Sequence, residues 1–271
     1  MHTLYVVATP IGNLEDISLR ALRILKEVKL IAAEDTRKTS RLLTHYQITT
    51  PMTSYYEHNK LVKLNRMLNH LEEGDVALVS EAGMPGISDP GYELIVAAIE
   101  HCIKVEPIPG ASTVTAALAV SGLATDRFIF LGFLPNKSVS RRRLLESVIA
   151  EKGTLLILEA PHRLQASLKD ILSTLGDRRM AVCRELTKLH EEIFRGTVSQ
   201  VLVHFSMPKG EFTLVIEGNK EEVQPQLTGE IEKKLKKLRL SGVSAKEAVA
   251  NVAAETGLSK RELYRAWLEQ I

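Results

Sequence analysis

Five loops gather the residues that could do chemistry, and each borders a short apolar run. The densest is SEAGMPGISDPG (80–91). Its Gly83, Gly86, Gly91, Pro85 and Pro90 make a stiff backbone able to approach a ligand closely, while Ser80, Glu81, Ser88 and Asp89 supply polar atoms. AEDTRKTSR (33–41) crowds Glu34, Asp35, Arg37, Lys38 and Arg41 behind a buried run, a pattern that suits a solvated helix start and a functional charge cluster equally. PGAST (109–113) opens a small-residue helix whose free N–H groups could meet a carboxylate or hydroxyl. LEAPHRL (158–164) brings Glu159, His162 and Arg163 to a strand end, where His162 suits a base or a loop brace. TPIGNLEDIS (9–18) turns out of the first strand.

Several chemistries lose support at once. TPIGNLEDIS contains neither the GxxxxGK(S/T) phosphate cradle nor GxGxxG, which argues against ordinary NTPase and dinucleotide sites. The 8 histidines show no HExxH or HxH spacing and the 2 cysteines no CxxC, so no protein-held metal is expected. Cys102 and Cys183 each sit in an apolar run and are expected as reduced core residues. No Ser-His-Asp order appears, so hydrolase chemistry is disfavoured. The chain opens without a basic and apolar leader and lacks a membrane-length apolar run, so a soluble cytoplasmic protein with no membrane partner is expected.

The elements that must hold these loops alternate in type. LYVVA (4–8), KLIAA (29–33), DVALVS (75–80) and KVEPI (104–108) read as strands. Between them lie helical patterns at 17–28, Arg41–Tyr46, 60–72 and 92–101; Asp16 is the expected cap of the first, and Leu19, Leu22, Leu25 and Val28 its apolar face. That alternation predicts a parallel α/β layer. After the Pro109–Gly110 step come a helix in ASTVTAALAVSGL, strands RFIFLGF, TLLILEA, MAVCREL and EFTLVIEG, and helices over 140–150, 162–175 and 197–205, predicting a second, mixed sheet. The expected domains are 1–109, 110–222 and 223–271.

The last of these is different in kind. GNKEEVQPQLTG (218–229) reads as a linker, and a basic helix ending at Gly242 follows it. Ala254, Gly257 and Ser259, with apolar Val249, Val252, Leu258, Leu263 and Trp267, then fit a helix-turn-helix or a plain helical hairpin. Charge divides accordingly. Residues 223–271 hold 9 Lys+Arg against 6 Asp+Glu, leaving 26 against 27 in 1–222, so the +2 of the whole chain belongs to the tail.

Taken in order, TPIGNLEDIS, AEDTR, SEAGMPGISDPG, PGAST, EAPHR and EFTLV resemble the tetrapyrrole methylase-like superfamily of class III S-adenosylmethionine methyltransferases, over residues 4–218. More narrowly they resemble its ribosomal RNA branch, which shares such a tail; porphyrin and corrin methylases usually open on a GxGPGD-like loop instead. One departure is Glu81, where the branch usually reads SDAG and this chain SEAG. The resemblance implies two α/β domains with S-adenosyl-L-methionine in the cleft between them, a C-terminal helical extension, a homodimer, and methylation of a cytidine ribose 2′-hydroxyl in 16S rRNA of the small ribosomal subunit. It implies cofactor contacts at Pro10, Ser80, Gly83, Met84, Ile87, Ser112, Thr113, Glu159, Ala160, Leu186, Phe212 and Thr213. For proton acceptance or ribose orientation the candidates are Asp35 and Glu81, then His58, Asp89 and Glu159; Arg37, Arg141, Arg142 and Arg143 could hold RNA phosphate. A tetrapyrrole methyltransferase, and a helix-turn-helix nucleic-acid binder with a small-molecule sensor body, remain alternatives.

Overall fold

A computed structural model describes residues 2–55, 60–220, 227 and 229–269, which divide into two compact units, Met1–Asn219 and Lys220–Ile271. His58, and residues 221–226 and 228 of the polar 218–229 segment, lie outside the described residues.

The first sheet is parallel throughout, in the order β3-β2-β4-β1-β5, from β1 (Thr3–Val7), β2 (Leu30–Ala33), β3 (Met52–Ser54), β4 (Val76–Val79) and β5 (Lys104–Ile108). Its central strands are buried on both faces, hence the unbroken apolar runs. Helices α1 (Leu19–Glu27) and α2 (Thr36–His45) cover one face, burying Ala21, Ile24, Leu25 and Leu43 against Val7, Ile31 and Val79. Helices α3 (Lys60–Glu73) and α4 (Tyr92–Glu100) cover the other, with Met67, Leu71 and Leu94 on Leu4 and Leu78.

The chain then passes Pro109 and Gly110 into α5 (Thr113–Ser121) and the second sheet. Here β6 (Phe128–Phe133), β7 (Thr154–Glu159), β8 (Arg179–Arg184), β9 (Glu192–Thr197) and β10 (Phe212–Ile216) take the order β6-β7-β10-β8-β9. Only the β6–β7 pair is parallel, so the sheet is mixed as its composition predicts. Helices α6 (Ser138–Ser147), α7 (Pro161–Leu175) and α8 (Val198–His204) complete this half, and their Leu145, Leu164, Leu168 and Val201 share a core with Leu155 and Leu214. On the other face, Ala117 and Leu118 of α5 and Ile11 from the loop after β1 pack on Leu156, Ala181 and Val215.

The described residues of the second unit form three helices, α9 (Gly229–Leu240), α10 (Ala245–Thr256) and α11 (Lys260–Glu269), around Leu235, Val249, Val252, Leu258, Leu263 and Trp267. Gly257 closes α10 at φ +70°, a left-handed conformation that glycine adopts without strain. Ser259 Oγ then accepts the Glu262 N–H at 3.2 Å.

Four expectations are corrected. Ser18 rather than Asp16 caps α1, accepting the Ala21 N–H at 3.1 Å, and Leu19 is exposed because the buried stripe runs through Ala21, Ile24, Leu25 and Val28. Helix α2 begins at Thr36, five residues before the expected Arg41, because Asp35 caps it. The edge strands β3 and β9 were not expected. Cys102 is exposed, in a left-handed turn at φ +56°, whereas Cys183 is buried and its thiol is pushed up to about 11 by burial. Among the described residues no helix is long and apolar enough to cross a membrane.

Candidate active site

Register alone brings the chemical loops together. Ala33 pairs with Val79, Val79 with Val7 and Val7 with Ile108, so four parallel strands end level and the following residues Glu34, Ser80, Ala8 and Pro109 form a row along the carboxyl edge. The chain leaves β1 through α1 on one face and β4 through α4 on the other. Adjacent strands whose connections diverge in this way open a crevice, the ordinary ligand position of such sheets. At this point Thr9 and Gly83 form a two-way backbone bridge, with N···O distances of 2.9 and 3.0 Å, and Gly83 holds φ +84° to make it.

Acidic groups concentrate beside that bridge. Glu34 leaves β2 and accepts the Glu81 N–H at 3.0 Å. Burial raises its pKa, with help from neighbouring Asp35, while Lys38 acts in the opposite direction. Asp89 is raised to about 6, first by burial and then by the Glu34 charge, against a lowering hydrogen bond from Ser80. Glu34 and Asp89 thus sense each other across residues that are 55 apart in sequence. Asp35 is in a different state: its carboxylate caps α2, accepting the Arg37 N–H at 2.8 Å and the Lys38 N–H at 3.3 Å, and these bonds hold its pKa down. Glu81 has its carboxylate paired with Lys38.

The other candidates fall into distinct places. Ser80 and Gly83 are buried, Met84 and Pro10 half-buried, and Ile87 exposed, all on the β1 and β4 loops. Ser112 and Thr113, half-buried, begin α5, and Ser112 makes no side-chain cap bond to the helix it precedes. On the second sheet Phe212 pairs with Glu159 and Thr213 with Leu158, which places Glu159, Ala160, Phe212 and Thr213 around one end of β7. Glu159 is fully buried: it accepts from the Ala160 N–H and the Ser167 hydroxyl and pairs with Arg163 at 3.2 Å, so it braces the start of α7. Leu186 is buried with Ile11, and a Cβ on Gly12 would lie 2.5 Å from Lys188 Cγ, so the β1 loop rests directly on the turn after β8. Asn13 N–H donates to Thr187 Oγ1 at 3.0 Å across the same contact.

The RNA candidates separate. Arg37 is 90% exposed and Arg142 and Arg143 are exposed on α6. Arg141 is not: it is 4% exposed, with Nε 2.7 Å from Asp170 and its guanidinium also donating to the Pro135 and Asn136 carbonyls. The expectation that Arg141 holds RNA phosphate is therefore corrected, because its charge is consumed in joining α6 to α7. Glu34 is the residue whose place in the site sequence reasoning missed. Its signal was its position directly after a buried strand.

Residues 3–202 match the model of the Tetrapyrrole (Corrin/Porphyrin) Methylases, and the chain belongs to that family. Residues 226–270 match the RsmI C-terminal HTH domain. Ribosomal RNA small subunit methyltransferase I of Halalkalibacterium halodurans is 48% identical, covering 99% of this chain and 95% of its own. The protein of that name from Thermotoga maritima is 49% identical over 80% of this chain and 99% of its own length. Uroporphyrin-III C-methyl transferase from Thermus thermophilus, solved with S-adenyl homocysteine, shares the fold at TM-score 0.57 and 19% identity, over 79% of this chain and 96% of that one.

Proposed function

We propose that this chain transfers a methyl group from S-adenosylmethionine to the ribose 2′-hydroxyl of a cytidine in 16S rRNA, acting on the small ribosomal subunit in the cytoplasm, as a homodimer. The observation that carries this is the 48% identity running the length of both units to a small-subunit rRNA methyltransferase. Porphyrinoid methylation has weaker support, since the T. thermophilus likeness lies in fold alone and spans 79% of the chain.

The residues at the crevice suit that cosubstrate. The β1 and β4 loops offer backbone donors and acceptors around Gly83, with Met84 and Ile87 as apolar contacts, and the uncapped start of α5 at Ser112 and Thr113 favours a carboxylate. Glu34, Glu81 and Asp89 set negative charge near where a sulfonium would lie. In this reading parts 1–109 and 110–222 hold the cosubstrate between them, with Pro10, Ser80, Glu159, Ala160, Leu186, Phe212 and Thr213 completing the contacts. When bound, it supplies an electrophilic methyl group.

The protein's own task is to align the ribose oxygen and accept its proton. Asp89 suits the acceptor role best: partly buried, raised to about 6 and in no ion pair among the described residues, it is more basic than Asp35, whose carboxylate is held down by the α2 N–H groups. Glu34, with its raised pKa and its bond to the Glu81 N–H, orients the loop that carries Ser80 and Glu81 and supports the proton on Asp89.

Radiolabelled S-adenosylmethionine with small subunits lacking the modification tests the proposal. Label is expected in 16S rRNA at a cytidine 2′-oxygen. A folded enzyme that leaves the RNA unlabelled, or that labels a porphyrinoid instead, would sink it.

A further inference from the structure

The second unit carries a surface that methyl transfer by the body leaves unused. On α11, Lys260, Arg261, Tyr264, Arg265 and Leu268 are all exposed, while Leu263, Ala266 and Trp267 face the core. At 3.6 residues per turn the exposed positions share one arc of about 140°. Glu262 falls outside it, held to Ser259 through the 2.7 Å bond of the helix start. Among the described residues no ion pair engages Lys260, Arg261 or Arg265.

Helix α9 has more lysines and a poorer surface. Lys234 is paired with Glu255, and Arg239 is turned inward, donating to the Trp267 carbonyl at 3.1 Å with its guanidinium 5.7 Å from the ring centre. Glu230 and Glu232 precede Lys233, Lys234 and Lys236 by one helical turn, the spacing at which opposite charges offset each other. The α11 arc therefore combines cations in no ion pair among the described residues with an exposed aromatic ring; Glu262, one turn before Arg265, lies off the arc and is bonded to Ser259, and the pattern fits a nucleic-acid strand. It also lies on the helix after the Gly257 turn, the one a helix-turn-helix presents to its ligand.

We propose that this face of α11 is a docking surface for ribosomal RNA, with Lys260, Arg261 and Arg265 on phosphates and Tyr264 stacked on an unpaired base. The inference rests on the rRNA reading above. RNA rather than duplex DNA is favoured because the body's proposed target is an RNA ribose, and because a flat aromatic beside arginines suits unstacked bases of loops and junctions. An accessory role fits the T. maritima relative, 99% of whose length is matched by 80% of this chain; the remaining fifth is about the size of Lys220–Ile271. Chemistry then belongs to the body, and the second unit adds grip.

The test uses the full chain with the triple variant K260E/R261E/R265E, the single variant Y264A and, as a control of similar charge change, K233E/K236E/K237E. Affinity for unmodified small subunits is measured across a salt series, beside cofactor affinity, thermal melting and methyl transfer at saturating subunit. The α11 triple variant should weaken subunit binding at least tenfold and reduce the slope of log K against log salt by about 2 to 3, from roughly 0.7–0.9 per phosphate contact. Cofactor affinity and saturated turnover should be unchanged, and Y264A should weaken binding with the salt slope retained. Unchanged binding in the α11 variants, a larger loss in the α9 variant, or tighter binding to duplex DNA than to RNA would each overturn the proposal. If the triple variant melts earlier, the neutral K260Q/R261Q/R265Q decides by the same two readings. Wild-type enzyme that labels rRNA while the variants bind normally defeats only the docking surface; wild-type enzyme that labels no rRNA defeats the reading beneath it.

Discussion

The two sheets of the body use the same ionic side chains in opposite ways. In the parallel half, Glu34 and Asp89 lie at the carboxyl edge within electrostatic reach of each other, neither is in an ion pair among the described residues, and burial raises both. In the mixed half, the buried charges are matched: Arg141 with Asp170, Glu159 with Arg163 and Ser167. A partly buried carboxylate without a paired cation costs stability and has its proton affinity shifted towards neutral pH, a property that suits proton transfer. A compensated one specifies packing and is inert. Similar composition thus takes two electrostatic states, set by which strand neighbours which.

The largest expected effect tests the reactive side. Asp89→Asn should lower kcat by about 10²–10⁴, the usual span for loss of an acid–base group, with cofactor affinity nearly intact. In the wild type kcat should rise with pH through about 6 as Asp89 loses its proton, and that rise should be missing from the variant. Stability should move the other way. A carboxyl raised in the folded state favours the protonated form, so its contribution is greatest at low pH and is lost as pH climbs from its unfolded value near 3.8 towards 6. Asp89→Asn should therefore melt above the wild type at pH 8 and level with it below pH about 4. A flat pH profile in the wild type, or a variant with full kcat, removes Asp89 from the reaction.

On the architectural side, Arg141→Ala should destabilise by about 3 kcal/mol, because it takes the buried guanidinium from Asp170 and leaves that carboxylate only the Ser138 hydroxyl and the more distant, exposed Arg142. Turnover per folded molecule should be unchanged at low temperature. The double variant Arg141→Leu with Asp170→Leu should recover most of the melting temperature, since it removes both members of the buried pair. A single variant that melts normally yet loses RNA affinity would instead restore Arg141 as a phosphate ligand.

The sequence was legible wherever burial imposes a continuous pattern. LYVVA, DVALVS and TLLILEA are strands buried on both faces, so nothing polar interrupts them. Met52–Ser54 and Glu192–Thr197 are edge strands, one only three residues long and the other opening on a charge and containing Arg195 and Gly196, so each lacks that pattern. The loops of the site were legible through their glycines, prolines and acids, but the proton chemistry was not. Asp35 and Glu81 were candidates because they are acids in the AEDTR and SEAG motifs; their partners, the α2 N–H groups and Lys38, are what quieten them. Glu34 comes within electrostatic reach of Asp89 through the pairing of β2 with β4, and Arg141 finds Asp170 twenty-nine residues later, facts of topology rather than of local spacing.

The smallest effect draws the contrast most finely. Lys38 and Glu81 form an ion pair with side chains 51% and 39% exposed, in the parallel half. Solvent screening limits such a pair to about 0–1 kcal/mol, so Lys38→Gln should hardly move the melting temperature. The same lysine also lowers the pKa of Glu34, opposing burial and Asp35. Removing it should therefore let Glu34 titrate higher, and with Glu34 more often protonated the charge that raises Asp89 weakens. The acidic limb of the kcat profile should change shape in Lys38→Gln while stability stays put, whereas Arg141→Ala should change stability and leave that limb alone. If both substitutions moved the melting temperature alike and neither touched the limb, the division of the body into a reactive and an architectural half would have no basis in its charges.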